Sequence, residues 1–352
     1  MPSLSETMTV ARIDEDYGIG VTKMPIPAIP PQGALVKVVG CGVCGSDLDK
    51  FVHKKSSPGS ILGHEMVGIV EALDEGHPGD WKVGDRLVSS HHAPCGRCHY
   101  CVNDSESMCR QFKRTNFNPG GFSQYVALSP EHLAHTAFQI PSDISWEEAS
   151  CIEPLSCVLR AIRRGGTQVN GSVLIVGLGF IGMMAAQVYQ NDGYAVYGVD
   201  LDPNRIHLAQ SRHFVLDAFH PVEERVRLQE TLNRHTTLGK VDTVFLTAVN
   251  PKTLALALDY VRDGGNLIIF TSAPEGTQVD PSRLYFREIN LITSYSPALS
   301  DLREAAQMIF QQKIEVEPLI SHRLPLQDVQ QAFELYRSGQ ALKVFLQMGE
   351  SQ

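Results

Sequence analysis

Nothing in this 352-residue sequence is long and apolar enough to cross a bilayer. The longest apolar run, Val173 to Tyr189, falls short of the roughly 20 residues that a membrane span requires, and Gly177, Gly179 and Gly182 interrupt it. It reads as a buried strand followed by a helix, and no membrane association is expected. Blocks of basic residues are also missing. Lys and Arg number 30 against 39 Asp and Glu, a net charge of -9, and no cluster among them could neutralise a phosphate backbone, so no nucleic-acid partner is expected. The first residues, Met1 to Glu6, carry neither the basic start nor the apolar core of a secretory leader, which makes the cytoplasm the expected compartment. Eight cysteines in a chain of this length, without a leader, point to thiols and metal rather than to a disulfide scaffold. Internal repeats, low-complexity tracts and heptad runs are absent.

An apolar content of 43% and a charged content of 20% are those of a soluble globular protein, and the length allows two domains with separate cores. Up to about residue 150 the pattern is one of short strands and turns. Leu35 to Val39, Met66 to Leu73, Arg86 to Val88 and Phe122 to Leu128 are rich in Val, Ile and aromatics, and an all-β barrel or sandwich is expected. After Pro141 the texture changes. Trp146 to Arg163 is helical in pattern with an interruption at Glu153-Pro154, and from Ser172 strands and helices alternate. Expected elements are a strand at Val173 to Val176, a helix at Met183 to Gln190, a strand at Ala195 to Val199 and a helix from Pro203 to Arg212 capped by Asp202. A strand at Asp242 to Thr247, a helix from Asn250-Pro251 to Arg262 stopped by Asp263-Gly264-Gly265, and a strand at Asn266 to Phe270 complete a parallel sheet ending near residue 292. Two amphipathic helices follow, Asp301 to Lys313 and Leu326 to Ser338, with Leu302, Ala306, Ile309, Phe310, Val329 and Phe333 as expected core. The strand-like Leu342 to Leu346 is expected to return to the first domain.

Three constellations carry chemistry. Cys44-Gly45-Ser46-Asp47-Leu48-Asp49 is answered, after a polar loop, by Gly63-His64-Glu65-Met66. A thiolate, an imidazole and a carboxylate together suit zinc, and three protein ligands with one open position make a Lewis-acid site rather than a closed one. Alone this is only suggestive, because a single Cys and a single His at such a separation are more often core or surface residues. Glu153, just ahead of a proline in an apolar stretch, is awkward to bury without a partner, the alternative being a solvent-facing carboxylate at a helix start.

The second constellation is Cys95, Cys98, Cys101 and Cys109. Four thiolates at this spacing can surround one zinc and pin an irregular loop. Inert thiols, disulfides and an iron–sulfur cluster compete with that reading. The compartment disfavours disulfides and nothing else suggests electron transfer, so a structural zinc is expected.

The third is Gly177-Leu178-Gly179-Phe180-Ile181-Gly182, which follows a strand, opens a helix and has Asp200 about 20 residues on, the context that a dinucleotide fingerprint requires. The glycines serve the tight turn, the approach of the pyrophosphate and close helix packing, and the helix N-terminus favours phosphate. Asp200 can accept from both ribose hydroxyls, and with Asp202 it repels a 2'-phosphate, so NAD is expected over NADP; Arg205 is the residue that could accommodate such a phosphate.

These motifs, with Gly42-Val43 ahead of Cys44, Val83-Gly84-Asp85-Arg86, and Glu153-Pro154-Leu155, make the chain resemble the zinc-dependent medium-chain dehydrogenases over essentially its whole length. Glu153-Pro154-Leu155-Ser156, and Arg287-Glu288 followed by Ser294-Tyr295-Ser296, resemble the sorbitol/L-iditol 2-dehydrogenase branch, which implies a sugar alcohol or cyclitol as substrate. Threonine dehydrogenases share several of these motifs. The resemblance implies an α/β fold, with a GroES-like β-barrel catalytic domain over residues 1–152 completed by 293–352, a Rossmann doubly wound parallel sheet over 153–292, and a homodimer or homotetramer.

The same resemblance makes Cys44 and His64 catalytic zinc ligands, Glu65 a direct or intermittent ligand, Glu153 a carboxylate that binds the metal or its water, and Asp47 the group orienting the histidine. It implies a secondary alcohol whose hydroxyl is acidified by zinc while hydride passes to NAD, with Ser46 taking the proton into a relay. Many relatives have a histidine three residues after that serine. This chain has Asp49, and either Asp49 or the nearby His53 would take its place. Competing readings are a threonine or phosphorylated-polyol dehydrogenase, where Lys113 and Arg114 could serve a phosphate, and a catalytically silent dinucleotide-binding sensor. The presence of Cys44, His64 and Glu153 counts against the last.

Overall fold

The computed structural model describes residues 6–166, 168 and 171–349, and two compact units can be traced in it: Met1–Pro154 with Pro297–Gln352, and Leu155–Ser296. Met1 to Ser5, most of the segment read as lacking a leader, lie outside the described residues. In the first unit β1 (Thr7–Ile13) and β2 (Ile19–Pro25) form an antiparallel hairpin that the strand signals above passed over. The expected strands follow as β3 (Ala34–Gly42), β4 (Glu65–Leu73), β5 (Arg86–Ser89) and β6 (Tyr125–Leu128), with the short β7 (Ala137–Gln139) added. The region is not all strand, since helix Gly45–Val52 carries the Cys44 stretch. The break expected at Glu153-Pro154 falls at Cys151 instead, between helices Trp146–Ser150 and Ile152–Gly165. Pro154 lies in the first turn of the second helix, where its missing N–H has no intrahelical partner to lose.

The second unit contains β8 (Ser172–Val176), β9 (Ala195–Val199), β10 (Asp217–Phe219), β11 (Val241–Leu246), β12 (Val261–Ile269) and β13 (Asn290–Thr293). All are parallel, in the order β10-β9-β8-β11-β12-β13. Numbered within the unit this is the doubly wound dinucleotide-binding order, whose switch point lies beside its first strand. Every residue of β8 is buried, as a strand covered on both faces must be. Two expectations are corrected. Helix Phe180–Asn191 starts inside the glycine motif rather than at Met183. The helix from Pro251 ends at Tyr260, so Asp263-Gly264-Gly265 does not stop it but lies within β12. There the pairing jumps from Val241↔Val261 to Thr243↔Asn266, and the intervening residues bulge from the ladder. Arg287 grips this bulge, donating to Asp263 Oδ1 at 2.6 Å, Leu258 O at 2.6 Å and Val261 O at 2.5 Å.

The chain then re-enters the first unit. Helices Leu299–Phe310 and Val329–Arg337 bury Leu302, Ala306, Ile309, Val329 and Phe333, with Phe310 partly buried. β14 (His322–Pro325) and β15 (Val344–Gln347) complete the first sheet, whose order is β14-β15-β3-β4-β5-β7 with β6 on β3. β15 pairs antiparallel with β3, placing Phe345 opposite Gly42, so the tail returns as expected. Among the described residues no helix is long and apolar enough to cross a membrane.

Candidate active site and metal centres

Cys44 is the N-cap of helix Gly45–Val52, in extended backbone, and its Sγ accepts from Ser46 N at 3.5 Å and Ser46 Oγ at 3.4 Å. Asp47, wholly buried at the third helical position, closes the capping box by accepting from Cys44 N at 3.2 Å. Its other oxygen accepts from Gly63 N at 3.3 Å and lies 3.2 Å from His64 Nδ1. One carboxylate thus ties the helix start to the turn that leads into β4. Because Asp47 accepts, His64 Nδ1 carries a hydrogen, and Nε2 is the nitrogen left for a metal. Burial opposes the charged form of His64, but Asp47 and Cys44 outweigh it and hold the pKa well above the ordinary value.

Glu65, 1% exposed, is the first residue of β4. Its Oε2 pairs with Lys343 Nζ, while Oε1 is buried without a hydrogen-bond partner. Burial alone would lower the Lys343 pKa, yet the Glu65 carboxylate raises it above the ordinary lysine value. Donor atoms of Cys44, His64 and Glu65 lie within 4.8 Å of one another. The orphaned oxygen, the capped thiol and the oriented imidazole fit a zinc ion. Glu153 is also buried, at 5% exposure, but it stands outside that 4.8 Å group.

The relay candidates are placed differently. Ser46 is exposed beside the Cys44 sulfur. The Asp49 carboxylate faces Lys55 Nζ at 2.7 Å and His53 Nδ1 at 3.0 Å, and its hydrogen bond to Lys55 holds its pKa below the usual carboxylate value despite some burial. Lys113 and Arg114 are both exposed. The sequence reading had missed two imidazoles: the His91 ring lies 4.9 Å from that of His64 and 3.9 Å from that of His92. His92 Nδ1 donates to Thr115 O at 2.5 Å, and His132 Nε2 donates to His91 O at 2.9 Å. Burial holds His91 well below the ordinary imidazole pKa and His92 at about 4, so both are neutral near pH 7. Lys343 was missed too; its signal is a single charge in the otherwise apolar run Leu342 to Leu346.

Cys95, Cys98, Cys101 and Cys109 form the second group within 4.8 Å, packed on Phe112. All eight cysteines are free, and Cys98–Cys101 and Cys95–Cys101 sulfurs are 3.5 and 3.9 Å apart, far beyond a covalent S–S bond. The Arg97 backbone amide pulls the Cys95 thiol down to about 6, and burial pushes Cys101 up to about 12. A shared cation would resolve so uneven a set by ionising all four sulfurs.

In the second unit each motif glycine has a visible cause. Gly177 has φ of +97°, and a Cβ there would meet Thr247 Oγ1 at 2.3 Å; one on Gly182 would meet Gly177 O at 1.9 Å. At Gly179, the N-cap of helix Phe180–Asn191, the nearest atom to a Cβ is Arg205 Nη1 at 3.9 Å, which leaves the helix start open. Phe180 and Ile181 provide the first helical amides. Asp200, 8% exposed at the end of β9, accepts from Leu178 N at 2.7 Å and Asp202 N at 2.8 Å. Arg205 lies 3.9 Å from Asp200 and 3.6 Å from Asp202.

Comparison with known proteins agrees with both units. Residues 30–141 match the alcohol dehydrogenase GroES-like domain, and residues 181–311 match the zinc-binding dehydrogenase domain. The chain is 27% identical to a sorbitol dehydrogenase of Halalkalibacterium halodurans over 96% of its own length and 98% of the relative's. It is 28% identical to an L-threonine 3-dehydrogenase of Cronobacter sakazakii, with the same coverage. Galactitol-1-phosphate dehydrogenase of Escherichia coli superposes with a TM-score of 0.83 at 25% identity, covering 96% of this chain and 99% of that one. The protein therefore has the domain architecture of the zinc-binding medium-chain dehydrogenases. It is a nicotinamide-dinucleotide-linked oxidoreductase of alcohol and ketone groups, and these likenesses favour no one of the three substrate branches.

Proposed function

We propose that the protein interconverts a secondary alcohol of a polyol, sugar alcohol or cyclitol with its ketone, using NAD and one catalytic zinc, with a second zinc in the four-cysteine loop. The observation that carries this is the Cys44–His64–Glu65 donor group, in which His64 and Glu65 are buried, with its orphaned Glu65 oxygen. When bound, zinc would supply Lewis acidity to the substrate hydroxyl and NAD would supply the hydride acceptor. The chain's part is to hold and orient. Cys44 and His64 bind the metal, Asp47 fixes the imidazole, and Glu65 offers its free oxygen. Glu153 is a further candidate ligand on the strength of the family resemblance. Ser46, exposed beside the Cys44 sulfur, is the hydroxyl suited to accept the alcohol proton.

Preference for NAD is supported by the Asp200 surroundings. Its oxygens hold two backbone amides and keep lone pairs for ribose hydroxyls. The Arg205 charge is already shared between Asp200 and Asp202, which weakens it as a 2'-phosphate partner.

The test is metal content followed by NAD and NADP reduction across sugar alcohols, cyclitols, threonine, galactitol 1-phosphate and simple alcohols. Oxidation of a polyol with NAD as the better acceptor is expected. Zinc bound with threonine or the phosphate ester as the best substrate would overturn the substrate class; equal efficiency with NADP would overturn the reading of Asp200. Glu153→Ala leaving both zinc content and turnover unchanged would remove Glu153 from the site.

A further inference from the structure

Lys343 reaches the candidate metal group from the far end of the chain. Its backbone is fixed just ahead of the tail strand: Val43 N donates to Val344 O at 2.9 Å, and Ser321 Oγ donates to Lys343 O at 3.0 Å. The side chain is 2% exposed, and its ammonium meets Glu65 Oε2. Gly42 makes this passage possible, since a Cβ there would stand 2.0 Å from Glu65 Oε2 and 2.9 Å from Lys343 Cε. A buried ammonium is costly unless paired, and an apolar side chain would fill the position at lower cost. The two oxygens of Glu65 are in different company. Oε2 has the lysine, whereas Oε1 is buried with no partner in a residue grouped with Cys44 and His64.

We infer that Lys343 is a positioning residue that occupies Glu65 Oε2 and so limits Glu65 to one oxygen toward a metal held with Cys44 and His64. The inference rests on the zinc reading given above. A carboxylate free to bind through both oxygens would take the coordination position that a substrate hydroxyl needs. The lysine charge also offsets that of the carboxylate, so the cation keeps more of its Lewis acidity when the pair is intact.

The experiment replaces the catalytic-site zinc by Co2+ in the full chain, leaving zinc in the four-cysteine loop, and compares wild type, Lys343→Met and Lys343→Arg. Spectra are read as differences from Cys44→Ser, so that only absorption belonging to this group counts. Lys343→Met is expected to bind Co2+ at least about tenfold more tightly, because a cation beside the site is gone and a second oxygen is released. Its visible bands are expected to weaken, as four-coordinate cobalt gains a fifth donor, and Lys343→Arg is expected to restore them. An unchanged spectrum in Lys343→Met, or weaker Co2+ binding in step with lower thermal stability, would show a merely structural lysine and overturn the inference. If Lys343→Met does not accumulate folded, the double variant Lys343→Met/Glu65→Gln is compared with Glu65→Gln. The visible bands of the two must coincide if Lys343 acts on the coordination through Glu65, and a difference between them overturns the inference. A wild-type protein with no thiolate-to-cobalt band lost in Cys44→Ser fails the zinc reading itself, an outcome distinct from a Lys343 variant that traces wild type.

Discussion

Replacing Asp47 with Asn tests whether one buried carboxylate organises the candidate metal group. Its oxygens serve three donors, Cys44 N at 3.2 Å, Gly63 N at 3.3 Å and His64 Nδ1 at 3.2 Å. Asn offers one acceptor oxygen and an NH2, so whichever way the amide turns, at least one buried donor faces another. An unsatisfied buried donor costs roughly 1–3 kcal/mol, and loss of the charge-assisted bonds adds to this. With nothing to hold the His64 ring, zinc affinity should fall about 10–100-fold. The metal-free protein carries a pH signature as well. Burial disfavours the Asp47 carboxylate, but His64 outweighs it and lowers the pKa. That contribution to stability is present above the unfolded value of about 3.9 and is lost as pH falls through the lower folded value. His64 has the opposite sign. Its raised pKa contributes stability that is fully present below the unfolded value of about 6.5 and is lost as pH rises through the folded value. Both limbs should shrink in Asp47→Asn. The assays are zinc competition against a chromophoric chelator and urea unfolding of metal-free protein across the pH range. Zinc affinity within about twofold of wild type, with both limbs intact, would refute the account of Asp47 as the organising group.

Four further substitutions separate the remaining parts. Gly182→Ala places a Cβ 1.9 Å from Gly177 O, so the turn must move; a loss of about 1–3 kcal/mol in stability and weaker NADH binding are expected by melting and fluorescence titration. Gly179→Ala, with no atom nearer than 3.9 Å, should leave the melting temperature unchanged while still weakening NADH binding. Asp49→Asn removes only an exposed ion pair with Lys55 and His53, and turnover should stay within about twofold of wild type; a large loss would restore Asp49 to the proton relay. Cys101→Ser should cost the loop its metal, read as loss of one zinc per chain and a lower thermal midpoint, with the Cys44 site still loaded.

What could be read from sequence was whatever a local pattern dictates. The glycine motif, its flanking strand and Asp200 are fixed by backbone conformation and close approach, so their spacing survives in the sequence. The four cysteines are similar, since a tetrahedron demands thiols at short separations. The bulge at Asp263 to Gly265 could not be read this way. A D-G-G run is a stop signal by local rules, and only the Arg287 side chain, from a distant turn, holds it inside a strand. Pro154 misled for the opposite reason, because a proline marks a helix start as well as a break, and the cap at Ser145 and the turn at Cys151 decide which.

The metal group shows why a ligand motif is less than a site. Cys44, Asp47, His64 and Glu65 are close in sequence, and their residue types alone suggested zinc. What occupies one oxygen of the Glu65 carboxylate is Lys343, 278 positions away. The pairing of β15 with β3 brings it there, and Gly42 leaves it room. The residue just ahead of the tail strand is therefore part of the proposed site. Its lone charge in an apolar run is the trace that the sequence leaves, and a carboxylate from β4 answers the buried ammonium there.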